Sequence, residues 1–186
     1  MRITGGRARG IPLKAPKGEG TRPATDRTRE AIFSSLGSRV EGSRVVDLFA
    51  GTGSYGLEAL SRGASHATFY EIDRKALVCL EENRNMVLKC CQLSASAAQT
   101  IKRDLYIKDN DGERADFIFI DPPYDGIEAN LTLIFTRVER LATPDAFVIL
   151  ELPGELEPKV DGWRLIRRFG KSKRGSPSAA IFKRQS

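Results

Sequence analysis

Apolar and polar positions along this chain fall into two regimes that meet near Ser43. Before it, the first 24 residues are rich in Gly, Pro and Arg. Met1–Thr4 and Ile11–Lys14 flank the Gly5–Gly10 turn there and predict a short β-hairpin. Thr25 or Asp26 suits a helix N-cap, and Ala31, Ile32, Ser35 and Leu36 follow at helical spacing until Gly37. After Ser43, short apolar runs alternate with stretches of helical period. Val45–Phe49 reads as a strand entering Ala50-Gly51-Thr52-Gly53, and Tyr55–Arg62 as a helix closed by Gly63. Ala67–Ile72 is a second strand, and Asp73 caps a helix that carries Leu77, Leu80 and Val87 near one face. A third strand is predicted at Cys91–Ala95, with a further helical stretch after it. Phe117–Ile120, the helix Leu131–Leu141 and the strand Phe147–Leu152 follow. Trp163–Phe169 and Ala179–Phe182 close the pattern as an antiparallel pair around Gly170–Ser178.

Strand–helix alternation of this kind builds a mainly parallel sheet through right-handed crossovers, with helices on both faces. An open α/β sheet binds its ligands beyond the carboxyl ends of its strands. Both conspicuous motifs lie at such ends.

The first is Asp47-Leu48-Phe49-Ala50-Gly51-Thr52-Gly53-Ser54-Tyr55-Gly56, with Glu71 placed 20 residues beyond Gly51. Its literal G-x-G-x-x-G permits NAD, FAD or an adenosyl sulfonium. Asp47 discriminates among them. A pyrophosphate seeks the N–H groups of a helix N-terminus, and a carboxylate four residues before the first glycine opposes it. S-adenosylmethionine offers an ammonium and a sulfonium instead, and Glu71 can accept from its ribose hydroxyls.

The second motif is Asp121-Pro122-Pro123-Tyr124, directly after an apolar strand. An exocyclic amino nitrogen of a nucleobase is a poor nucleophile, because its lone pair is delocalised into the ring. The Asp121 carboxylate and the Pro122 carbonyl can accept its two N–H groups and direct the lone pair at a methyl carbon. The two prolines stiffen the turn and remove competing N–H donors. Tyr124 can stack on a base drawn out of its helix. Displacement at a sulfonium methyl needs neither a metal nor a covalent nucleophile, so positioning carries the catalysis.

Charge adds a partner. Residues 1–30 carry a net +5 and residues 163–186 a net +8, whereas the stretch between them carries −7. Basic ends on an acidic body suit a polyanion gripped by the ends. Arg22, Arg27 and Arg29 are expected to position it, with Lys171, Lys173 and Arg174 as the second candidate set. Three cysteines without a CxxC pair and one histidine argue against zinc, and Cys90 and Cys91 read as reduced thiols on a strand edge. No apolar run approaches the about 20 residues of a membrane span, and no signal peptide is evident, so a cytoplasmic protein is expected.

The loop Asp47–Gly53, Glu71 and Asp121–Tyr124 resemble the class I methyltransferases that modify amino groups. Met1-Arg2-Ile3-Thr4-Gly5-Gly6, the block Arg22–Glu30 and the helix Gly56–Ala64 resemble one branch of these, the RsmD-type enzymes. The resemblance implies an α/β, Rossmann-like class I methyltransferase fold with a mainly parallel seven-stranded sheet and an antiparallel C-terminal hairpin. It implies a domain over residues 43–186, with residues 1–42 as a hairpin-and-helix extension covering RNA and cofactor. It implies transfer of a methyl group to the 2-amino group of a guanine in bacterial 16S ribosomal RNA, within an assembling or assembled small subunit. The donor, S-adenosyl-L-methionine, would be held by Asp47, Phe49, Ala50, Gly51, Gly53, Glu71 and Ile72, with Ser96 at the adenine and no metal. The catalytic set would be Asp121, Pro122, Pro123 and Tyr124, in a monomer. Two readings compete: an adenine-N6 DNA methyltransferase, for which the chain lacks an evident reader of base edges, and a non-catalytic RNA-binding protein on the same fold.

Overall fold

The computed structural model describes residues 1–16, 26–105 and 113–185. Seven strands form one sheet in the order β3-β2-β1-β4-β5-β7-β6. In chain order they are β1 (Arg44–Leu48), β2 (His66–Glu71), β3 (Ala98–Lys102), β4 (Ala115–Ile120), β5 (Ala142–Pro153), β6 (Trp163–Gly170) and β7 (Pro177–Arg184). The first five pair in parallel, and β7 runs antiparallel to both β5 and β6. The helices are α1 (Asp26–Leu36), α2 (Ser54–Ser61), α3 (Arg74–Cys91) and α4 (Ile127–Leu141). One apolar cluster fills the sheet face under α1, α2 and α3, where Phe33, Tyr55 and Phe119 lie ring against ring. The other lies under α4, around Phe135, Trp163 and Phe182.

The N-terminal hairpin forms around the Arg2–Pro12 bridge, and its Ile3, Ala8 and Leu13 enter the first cluster. Glu58 of α2 fastens it, accepting from the Thr4 amide (2.7 Å) and hydroxyl (2.8 Å). The hairpin backbone runs so close to α2 that a Cβ on Gly6, whose φ is +75°, would meet the Ser61 carbonyl oxygen at 1.9 Å.

One strand differs from expectation. Cys91 is the last residue of α3, and the third strand is Ala98–Lys102. The helix continues because Leu88 and Cys91 extend its buried face. It stops at Gln92, which adopts the left-handed conformation (φ 55°) usually left to glycine, so no glycine marked the end. Cys90 and Cys91 therefore sit in a helical turn rather than on a strand edge.

Candidate active site

The winding of the sheet reverses between β1 and β4, which are neighbours although β2 and β3 lie between them in the chain. That switch point opens a crevice at the carboxyl edge. The glycine loop leaves β1 into it, and Asp121-Pro122-Pro123-Tyr124 leaves β4 beside it. The Asp121 amide donates to the Leu48 carbonyl at 3.3 Å, which ties the two motifs together.

The three loop glycines have different tasks. Gly51 (φ +54°) would point a Cβ into open space, so its backbone faces the crevice uncovered. A Cβ on Gly53 (φ +83°) would strike Leu80 of α3 at 2.4 Å, and one on Gly56 would strike the Phe69 ring at 2.4 Å. Gly53 thus lets the loop pack against α3, and Gly56 lets α2 pack tightly on β2. Phe49 also has a positive φ, 58°, as the chain turns out of β1. The Asp47 carboxylate is buried and accepts the Gly56 amide at 2.8 Å, so it braces the turn from within. Burial pushes its carboxyl well above the usual carboxylate range.

Glu71 stands at the other wall. Its carboxylate accepts the amides of Gly51, Ile72 and Asp73, each at 2.7 Å. These bonds fix it against the glycine loop and use three of the roughly four acceptor positions a carboxylate offers. Ile72, next in the chain, is 53% exposed and presents an apolar surface beside it. Asp73 caps α3 as expected, accepting the Ala76 amide at 2.7 Å. Asn83 of α3, fully buried, donates to the carbonyls of Thr52 and Lys14, each at 3.0 Å, and so joins the N-terminal segment to the glycine loop.

Ser96 does not join this group. It precedes β3, and the register Ala67↔Ala98 and Glu71↔Lys102 puts it at the amino edge, the far end of the sheet from Glu71. The misplaced third strand caused the error. With β3 at Ala98–Lys102, the acid that follows it is Asp104, at the carboxyl edge.

At the reacting end, Pro122 is buried, Asp121 and Tyr124 are half-buried, and Pro123 is exposed. Burial raises the Asp121 carboxyl to about 7. Beside it, Glu151 ends the apolar run of β5 and accepts a hydrogen bond from the Tyr55 hydroxyl. A carboxylate directly after the apolar run Phe147–Leu150 was the available signal for Glu151.

The basic residues divide differently from the sequence expectation. Arg29 is fully buried: its guanidinium pairs with Asp26 (2.9 Å) and Glu58 (3.4 Å) and donates to the Arg2 carbonyl. It locks α1 to the hairpin and is unavailable to a phosphate. Arg27 is exposed, and Arg22, with Thr25, lies outside the described residues. Lys171, Lys173 and Arg174 are all exposed on the β6–β7 turn. The pairing Pro153↔Pro177 and the bond from the Gly154 amide to the Ser176 carbonyl (2.7 Å) bring that turn to the carboxyl edge. It shares that edge with the crevice.

Among the described residues no three His, Cys, Asp or Glu side chains are grouped as a metal site needs, and no helix is long and apolar enough to cross a membrane.

This strand order, with a glycine loop after β1 and an acid ending β2, defines a class I methyltransferase. The chain belongs to the family described as Conserved hypothetical protein 95, which matches residues 1–176. It is 35% identical to YlbH of Bacillus subtilis over the whole of both chains. It is 31% identical to Ribosomal RNA small subunit methyltransferase D of Haemophilus influenzae, over 90% of this chain and 86% of that one. Among solved structures, yhhF of Escherichia coli superposes with a TM-score of 0.80 at 29% identity, covering 100% of this chain and 98% of the other. The branch suggested by the N-terminal block is thus the right one.

Proposed function

We propose that the chain transfers the methyl group of S-adenosylmethionine to the 2-amino group of a guanine in small-subunit ribosomal RNA, in the cytoplasm. The observation that carries this reading is the juxtaposition at the β1–β4 switch point of an open glycine backbone and Asp121-Pro122-Pro123-Tyr124. The donor fits the residues present. Gly51 leaves room for its methionine portion, Glu71 has an acceptor position for a ribose hydroxyl, and Ile72 offers an apolar face to adenine. Phe49, Ala50 and Gly53 shape that wall, Asp104 replaces Ser96 as the candidate at the adenine amino group, and buried Asp47 acts by supporting the turn. When bound, the sulfonium supplies an activated methyl group. Asp121 and the Pro122 carbonyl hold the target amino group, Pro123 stiffens the turn, and Tyr124 stacks on the base. Residues 1–42 are an extension laid on the methyltransferase domain, 43–186. The test is mass analysis of ribosomal RNA nucleosides after purified protein has acted on small-subunit particles. N2-methylguanosine is expected; N6-methyladenosine or no methylated product would overturn the reading.

Glu71→Ala is expected to weaken donor binding by about 1.5–3 kcal/mol, the scale of a lost charge-assisted hydrogen bond. Calorimetry gives this directly, and unchanged affinity in a folded variant removes Glu71 from the donor site.

The exposed turn Lys171–Arg174 takes over from the N-terminal arginines as the main grip on RNA. Each phosphate neutralised contributes roughly 0.7–0.9 to the slope of log affinity against log salt. Replacing Lys171, Lys173 and Arg174 with Ala should flatten the slope by about two units, while Arg27→Ala changes it by about one at most. An unchanged slope in the triple variant would assign the turn to solvent alone.

A further inference from the structure

β4 and β5 pair up to Ile120↔Leu150, so Asp121 and Glu151 are the next residues on neighbouring strands, with Cα atoms about 5 Å apart. Because side chains alternate, both face the same side of the sheet as Phe119, Ile149 and, on β1, Asp47. Tyr55 of α2 covers this face and donates its hydroxyl hydrogen to Glu151. Glu151 is 2% exposed and Tyr55 equally so. The charged or titratable groups that act on Glu151 are Asp121, Tyr55, Arg29 and Asp47. Only Arg29 among these is a cation, and it is already engaged by Asp26 and Glu58. Its Nη1 is buried without a hydrogen-bond partner. Three acids thus share a sheet face with one committed guanidinium.

Taking several carboxylates out of water without matching cations costs several kcal/mol per ion, and protonation relieves it. The proton belongs on a buried acid whose nearest partner is a neutral hydroxyl. Glu151 meets both conditions, whereas Asp47 accepts the Gly56 amide, which favours its ionised form, and Asp121 opens onto the crevice. We propose that Glu151 is a positioning residue: it keeps its proton throughout the reaction, and as a neutral acid pinned by Tyr55 it holds Asp121 ionised and oriented toward the amino group. Burial and the Asp121 charge both push the Glu151 carboxyl well above the usual range, in agreement with this order of titration. The proposal rests on the methyl-transfer reading for its role in the reaction. There the amino nitrogen bonds to the methyl carbon, the C–S electron pair leaves with sulfur, and one N–H proton passes from nitrogen to Asp121. A charged Glu151 would disfavour the ionised Asp121 that accepts it.

The experiment has two arms. Infrared difference spectra between the unmodified protein and Glu151→Gln, without donor or RNA, are recorded at about pH 8, above the Asp121 transition. The proposal expects the carbonyl stretch of a protonated carboxylic acid to disappear in the variant. Failure of this arm overturns the protonated Glu151 whatever reaction the protein catalyses. In the second arm, Glu151→Ala should lower kcat about tenfold or more with donor affinity unchanged, and Glu151→Gln should restore most of it. A Gln variant as slow as the Ala variant overturns the neutral positioning role. If the Ala variant does not fold, Glu151→Gln is judged against the unmodified enzyme, and a tenfold loss has the same meaning. Absence of any methyl transfer by the unmodified protein instead refutes the function and leaves the infrared result standing.

Discussion

Asp121→Ala should reduce turnover by at least about 100-fold, the scale of one preorganised electrostatic contact, with donor affinity nearly intact. In the proposed reaction Asp121 contacts the amino group, and it is the glycine loop and Glu71 that would hold the donor. The same variant should gain stability relative to the unmodified protein as pH rises. An acid whose folded value is raised favours the fold in its protonated form. Its contribution is complete below the unfolded value and is lost as pH climbs through the folded one. For Asp121 that window runs from the ordinary value of 3.8 to about 7. Alanine removes this pH-dependent loss. Urea unfolding on either side of the window should show the difference between the two proteins moving in the variant's favour. The movement should be on the order of 2 kcal/mol, allowing for the partial exposure of the carboxyl. A variant of near-normal turnover would make the tetrapeptide a structural turn; a difference independent of pH would place Asp121 in water.

Arg29→Ala is the substitution expected to cost most stability, about 3–5 kcal/mol. Among the described residues it leaves Glu58 with Arg62 alone as an ion-pair partner, at 2.7 Å, and removes the donor to the Arg2 carbonyl. Arg27→Ala, two residues away but exposed, should stay within about 0.5 kcal/mol of the unmodified protein. Parallel urea titrations compare the two. Equal stabilities would contradict the burial of Arg29 and return it to the candidates for RNA contact.

Arg29 also marks where the sequence could be read and where it could not. Its charge was plain, but its direction was not. A helix hides a residue according to which face meets the sheet, and only the buried partner Glu58, 29 positions on, fixes that. The glycine loop, Glu71 and the Asp-Pro-Pro-Tyr turn were legible because each combines an apolar strand with chemistry that must follow it. The third strand was not legible: β3 alternates weakly and is partly exposed, and Gln92 ends α3 without a glycine. That single slip carried Ser96 into the donor site and hid Asp104. The position of the basic turn was illegible for another reason. Strand order beyond β5 depends on packing, and nothing local announces that β7 lies inside β6.

That order has a consequence for how the molecule is made. β6 precedes β7 in the chain, yet β6 reaches the sheet only through β7. During synthesis, the segment through β5 can assemble the glycine loop, Glu71 and the Asp121 turn from parallel neighbours while β6 waits unpaired. The Lys171–Arg174 turn takes its place at the carboxyl edge when β7 pairs with β6 in a local hairpin and docks against β5. On the proposed function, the donor crevice of a nascent chain is thus complete before its basic turn is in place.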